Sequence, residues 1–224
     1  MSRLSLLSLR RGRIVLIACI AASVAGCFSI GLGGDGTALS QYRLADLSPK
    51  VQPRATPIDR RLLLSTLPSE SIGDTYSMAY TRAAQQRQFY QFASWTDRPS
   101  ERVVALLTER IEARRIFDSV ARLGSGVGGG LILNVGVNEL VHDVATGTAR
   151  VEVTAELIER RGRNLVERKR FAASAPVAQE NAPSAVAALS QALTAVLDEF
   201  VPWLERVADS LPPPEPRPTR DGKS

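Results

Sequence analysis

The residue types that most often carry protein chemistry are scarce in this chain. Its 224 residues include one histidine, His142, and two cysteines, Cys19 and Cys27. One histidine excludes metal centres built on two or more. Asp143 follows His142 inside an alternating run, where neighbouring side chains point to opposite strand faces, so the two make a poor catalytic pair. No Gly-x-Ser-x-Gly elbow occurs to supply a serine nucleophile. The run "GSGVGGG", residues 124–130, has the glycine content of a phosphate loop. It lacks the Lys-Ser/Thr that should follow, and it leads into a strand pattern rather than a helix N-terminus. It reads as a flexible connection between strands. That leaves the sulfur of Cys27 as a packed thiol, half of a disulfide, or a point of attachment.

The sequence around Cys27 decides among these. Arg3, Arg10, Arg11 and Arg13, with no acid among them, precede an apolar run from Ile14 to Ala25. As a helix that run reaches about 18 Å, short of a hydrocarbon core of roughly 30 Å. A basic start, a short apolar run and small residues before a break describe a secretory signal peptide; the competing readings are a plain secretory signal and a buried core helix. "VAGC", ending at Cys27, resembles the lipobox of bacterial lipoproteins. The resemblance implies a diacylglyceryl group on Cys27 and cleavage between Gly26 and Cys27. Loss of residues 1–26 removes Cys19, so Cys27 has no intramolecular partner for a disulfide. It also removes four of 28 basic residues, leaving 24 against 23 acids, a net charge of +1 where the whole chain has +5. A nucleic-acid partner, which needs a concentrated basic face, loses its support. Several acyl chains anchor a protein stably where one does not. Phe28 stands where an Asp often marks inner-membrane retention, which favours the periplasmic side of the outer membrane of a Gram-negative bacterium.

The pattern downstream divides the mature chain into a flexible Gly-rich tether (27–39), one domain (40–210) and a Pro-rich disordered tail (211–224). Strand signals open with "QYRLADL" and "RRLLLSTL". "DTYSMAYTR" and "RQFYQFASW" flank "AAQQ" as a hairpin. The period then changes. Val103, Val104, Leu107 and Ile111 share one side of a helix from about Arg98 to Arg114, with Asp97 as its N-cap and Pro99 in its first turn. "IFDSV", "GLILNVGVNELVHDV", "TARVEVTAELIER" and "LVERKRFAASAPV" continue as strands. The last of these is charged enough for a sheet edge. Val186, Leu189, Leu193, Val196, Leu197, Phe200 and Leu204 mark a second helix, which Pro202 should kink or loosen near its end. The expected fold is α+β, a mainly antiparallel sheet with two amphipathic helices packed against it. Most of the aromatic set Tyr76, Tyr80, Phe89, Tyr90, Phe92 and Trp95, together with Trp203, should lie in the core. The basic stretch from Glu159 to Arg170 reads as a solvated hairpin tip.

The order of these pieces is similar to the ABC-type transport auxiliary lipoprotein family, whose best-known type is the paraquat-inducible protein C-like lipoprotein. The residues that carry the likeness are the lipobox, the "YRL" opening, the block "YSMAYTRAAQQRQFYQFASWTDRPSERVVALLTERIEARRIFDSV", and the second half from "GLILNVGVNEL" to "APSAVAALSQALTAVLDEF". It covers Tyr42 to about Leu204. The resemblance implies a non-enzymatic lipoprotein that accompanies an Mce-domain protein with an ABC permease and ATPase in lipid traffic between inner and outer membranes. It implies no cofactor, metal or catalytic residue, and it carries a site over only at Cys27. Some members form rings that meet an Mce tube, so a homo-oligomer is among the expectations. The alternatives are a lipid carrier with a cavity lined by the strand aromatics, and an outer-membrane or cell-wall scaffold lipoprotein.

Overall fold

A computed structural model of the protein describes residues 38–48, 52–68 and 74–213, and those from Leu39 onward belong to one compact unit. In chain order the elements are β1 (Ser40–Tyr42), β2 (Ile58–Thr66), β3 (Ser77–Thr81), β4 (Gln88–Trp95), α1 (Pro99–Ala113), β5 (Phe117–Arg122), β6 (Leu131–Asp143), β7 (Thr148–Glu159), β8 (Asn164–Pro176) and α2 (Ala182–Asp209). β6 is the axis. Alternation places Leu131, Leu133, Val135 and Val137 in one buried row. A bulge between Val137 and Glu139 then resets the phase. Val137 lies opposite Val153, and past the bulge Leu140 lies opposite Val151, so the apolar row continues.

One edge of β6 is taken along its length by antiparallel β7, with β8 antiparallel beyond it. The other edge is shared. β2 pairs with the first half of β6, from Leu62 opposite Leu131 to Thr66 opposite Val135. β3 pairs with its end, Tyr80 opposite His142. β5 flanks β2, β4 flanks β3, and β1 flanks β4. Among the described residues four of these seven pairings are parallel, so the sheet is mixed and not mainly antiparallel. Alternation reports which face is buried and leaves strand direction open. The direction of β5 relative to β2 is set by the long crossover through α1.

Two helices against the sheet agree with expectation. α1 packs on β2, β5 and β6, and α2 packs on β6, β7 and β8. Val103, Val104, Leu107 and Ile111 are all buried, as are Leu189, Leu193, Val196, Leu197, Phe200 and Leu204. Phe171 of β8 stacks on Phe200 at 4.8 Å and meets Trp203 edge-on at 5.5 Å, which joins α2 to the sheet edge. The Trp203 indole donates to Glu167 at 2.5 Å. Three local expectations change. The cap residue of α1 is Arg98, and Asp97 does not bond the helix. Asp97 pairs with Arg43 at 2.9 Å, while the remote Asp74 accepts from the Ser100 amide at 2.9 Å and from its hydroxyl at 2.7 Å. α2 runs unbroken through Pro202 to Asp209, because buried Trp203, Leu204 and Val207 hold its last turns. Of the aromatic set, Trp95 is buried, Tyr80 and Tyr90 are half-buried, and Tyr76, Phe89 and Phe92 are exposed. The cause lies in β4: Ser77 faces Ser94 but Ala79 faces Phe89, so surplus β4 residues break the alternation.

Candidate functional site

Gly26 and Cys27 lie outside the described residues, as do the signal segment, the tether up to residue 37 and the tail from residue 214. The first described stretch after the tether is β1 with the strap that follows it, residues 43–48. The strap crosses both helices, held by side chains. The Leu44 carbonyl accepts from Arg102 Nε at 2.9 Å. The amides of Ala45 and Leu47 donate to Ser190 Oγ (3.2 Å) and Thr194 Oγ1 (2.9 Å) of α2. At its centre Arg110 of α1 donates to both oxygens of Asp46, at 2.7 and 2.6 Å, to Asp198 of α2 at 2.7 Å, and to the Ser48 hydroxyl. The Arg110 side chain is only 4% exposed. Burial pushes the Asp46 carboxyl up, but the Arg110 and Ser48 bonds outweigh it and hold it below the usual value. Burial pushes Arg110 down, and Asp46 and Asp198 more than reverse this. The network escaped the sequence reading. Its signal was there: Arg110 falls three residues after Leu107 and seven after Val103, a charge on the apolar stripe.

The sequence candidates separate. His142 is buried at 1% exposure, with Nδ1 2.6 Å from the Tyr90 hydroxyl. Asp143 faces away from it and accepts from Arg150 at 2.7 Å, and Arg150 also reaches Glu139 at 2.8 Å. Burial lowers the pKa of His142 below its ordinary value, against the opposing charges of Glu180 and Asp143. Tyr80 packs on Tyr90 at 5.0 Å between centroids, Arg82 covers the Tyr80 ring at 5.5 Å, and Arg82 pairs with Glu180. A cleft of about 360 Å³ opens here, lined by Tyr80, Arg82, Phe89, Tyr90, Gln91, Val144 and Glu180. A larger groove of about 600 Å³ lies along the β3–β4 turn, with Glu139, Asp143 and Arg150 on one wall. Residues 124–130 join β5 to β6 as an exposed loop. Gly124 and Gly126 have φ of 95° and 83°, which favours glycine. Of the basic stretch only residues 160–163 form the β7–β8 hairpin tip; Asn164 to Arg170 run along β8, with Arg168 paired to Glu156 and Arg170 to Glu152 across the strands. Among the described residues no group of three or more His, Cys, Asp or Glu is placed to hold a metal ion.

Residues 42–201 match the family model of the ABC-type transport auxiliary lipoprotein component. The chain belongs to this family. No curated protein matches the auxiliary lipoprotein. Its fold is similar to the crystal structure of protein XCC0632 from Xanthomonas campestris, of family DUF330. The TM-score there is 0.65 at 23% identity, over 76% of this chain and 97% of that one. A structure described as an uncharacterized protein matches with a TM-score of 0.56 at 12% identity, over 75% and 99% of the two chains. The PelC dodecamer from Paraburkholderia phytofirmans matches with a TM-score of 0.36 at 13% identity, over 64% and 93%. At that likeness it carries no argument about the assembly of the auxiliary lipoprotein.

Proposed function

We propose that this auxiliary lipoprotein serves an Mce-type ABC system that moves lipids between the inner and outer membranes, as a non-enzymatic component anchored through Cys27 on the periplasmic face of the outer membrane. The observation that carries the reading is the family match, which spans nearly the whole domain. The geometry agrees with a docking role. Within the folded domain, Arg110 fastens the strap that follows β1 to both helices, which gives the domain a fixed strap-and-helix surface to present to a partner. His142, the single histidine, is turned inward onto Tyr90 and does not present a ring nitrogen at an open cleft wall.

Affinity capture from envelope extracts tests the reading. The wild-type chain should bring down an Mce-domain protein with a permease and an ATPase. Cys27→Ala should lose membrane association and most of that capture. Extracts that yield no Mce or ABC component with the wild-type chain refute the proposal.

A further inference from the structure

β1 runs parallel to β4, with Ser40 opposite Ala93 and Tyr42 opposite Trp95. Leu39, just before Ser40, therefore lies toward the beginning of β4. β1 covers only Ala93–Trp95, so among the described residues no strand lies outside Gln88–Phe92. Three large apolar side chains are exposed in this region: Leu39 (58%), Phe92 (45%) and Phe89 (42%). Arg87, exposed in the turn two residues before Phe89, and Arg82, paired with Glu180 in the cleft that Phe89 lines, are the nearby arginines.

We propose that this surface of Leu39, Phe89 and Phe92 seats on the lipid bilayer that holds the anchored N-terminus. The proposal rests on the reading of Cys27 as lipid-bearing. Two arguments favour a bilayer over a protein partner. The first is reach. From Cys27 to Leu39 a fully extended chain spans at most about 40 Å, so an anchored Cys27 keeps Leu39, the point where the chain enters the domain, within that distance of the headgroups. The second is composition. Aromatic rings with arginines beside them suit the boundary between headgroups and hydrocarbon, where a ring can be half-immersed and a guanidinium can meet phosphate. Among the described residues no strand pairs with the outer edge of Gln88–Phe92, which calls for shallow seating among hydrated headgroups.

The basic β7–β8 turn is the rival surface, and it lies at the other end of β6. Glu159 is level with Leu131, whereas Tyr80, beside Gln88 in the hairpin, is level with His142. Those levels are separated by about 36 Å along the strand. Seating one end on the bilayer therefore lifts the other away from it.

Three variants of the full lipidated chain decide the matter: Phe89→Trp, Phe92→Trp and, at the hairpin tip, Leu165→Trp. All three positions are exposed, so the core is undisturbed, and native Trp95 and Trp203 are buried and give a constant background. Each variant is reconstituted in vesicles of phosphatidylethanolamine and phosphatidylglycerol with brominated acyl chains, and vesicle flotation is recorded. The added emission of Phe89→Trp and Phe92→Trp should fall by roughly half, as for a ring at the membrane boundary, with Leu165→Trp unchanged. Quenching of Leu165→Trp alone overturns the orientation. Flotation with no quenching in any variant overturns the bilayer contact and leaves the anchor standing. Wild-type protein that floats no better than Cys27→Ala refutes the anchor and the contact with it.

Discussion

The Tyr90 hydroxyl lies 2.6 Å from Nδ1 of His142, and burial perturbs both groups. It pushes Tyr90 up to about 12 and His142 down from its ordinary value. The unfolded chain therefore takes up a proton on His142 at a higher pH than the folded chain does. Stability is full above the unfolded value of about 6.5 and falls as pH drops below it. The thermal midpoint of the wild-type protein should decline between about pH 7 and pH 5, and His142→Gln should flatten that decline. Melting curves across this range check it. As the only histidine, His142 can also be titrated directly by its ring-proton NMR signal.

Arg110 joins the strap to both helices. Arg110→Ala leaves Asp46, whose side chain is 16% exposed, without its main partner, and should cost about 3 kcal/mol in denaturant unfolding. Arg110→Lys should recover little of this, because an ammonium cannot span both carboxylate oxygens. Asp46 adds an acid dependence of the same sign as that of His142, at lower pH. Its folded pKa is depressed, so its contribution is present above about pH 4 and is lost as pH falls through the folded value. Asp46→Asn should remove that loss.

The glycines of the β5–β6 loop are not equivalent. A Cβ on Gly129 would stand 2.7 Å from Leu63 Cγ and 3.2 Å from the Arg61 carbonyl oxygen, whereas one on Gly128 would meet nothing within 4 Å. Gly129→Ala should cost about 1–3 kcal/mol, and Gly128→Ala should be nearly neutral. A pair of denaturation curves separates them, and equal effects would contradict the packing described for β2.

Pro202 is exposed and lies inside a helix that continues for seven more residues. It contributes no main-chain N–H there. Pro202→Ala should raise stability by about 1 kcal/mol, the gain in helix propensity being partly offset by greater freedom in the unfolded chain. A lower thermal midpoint would show that the ring itself is needed at this position.

How much of this was legible in the sequence depends on distance along the chain. The stripes of α1 and α2 and the alternation of β6 and β7 could be read because burial on one face writes itself into nearby residues. The β3–β4 hairpin was readable for the same reason. Strand direction was not, since β2 meets β5 and β6 only after the chain has passed through β3, β4 and α1. The cap of α1 escaped because it is supplied by Asp74, 26 residues before Ser100. Most of the strand aromatics were expected in the core; Phe89 and Phe92 lie outside it because of a β4 irregularity that leaves no mark in composition. The strap network joins Asp46, Arg110 and Asp198, and only the charge of Arg110 on an apolar stripe announced it.

The strap also fixes how a pull on the N-terminus is distributed. β1 is three residues long and alone would peel from β4 one hydrogen bond at a time. Behind it residues 44–48 are held by Arg102 and Arg110 on α1 and by Ser190, Thr194 and Asp198 on α2, a second hold that a pull meets once β1 has come away. A pull on the N-terminus would thus meet the sheet first, at β1, and the helix pair only behind it.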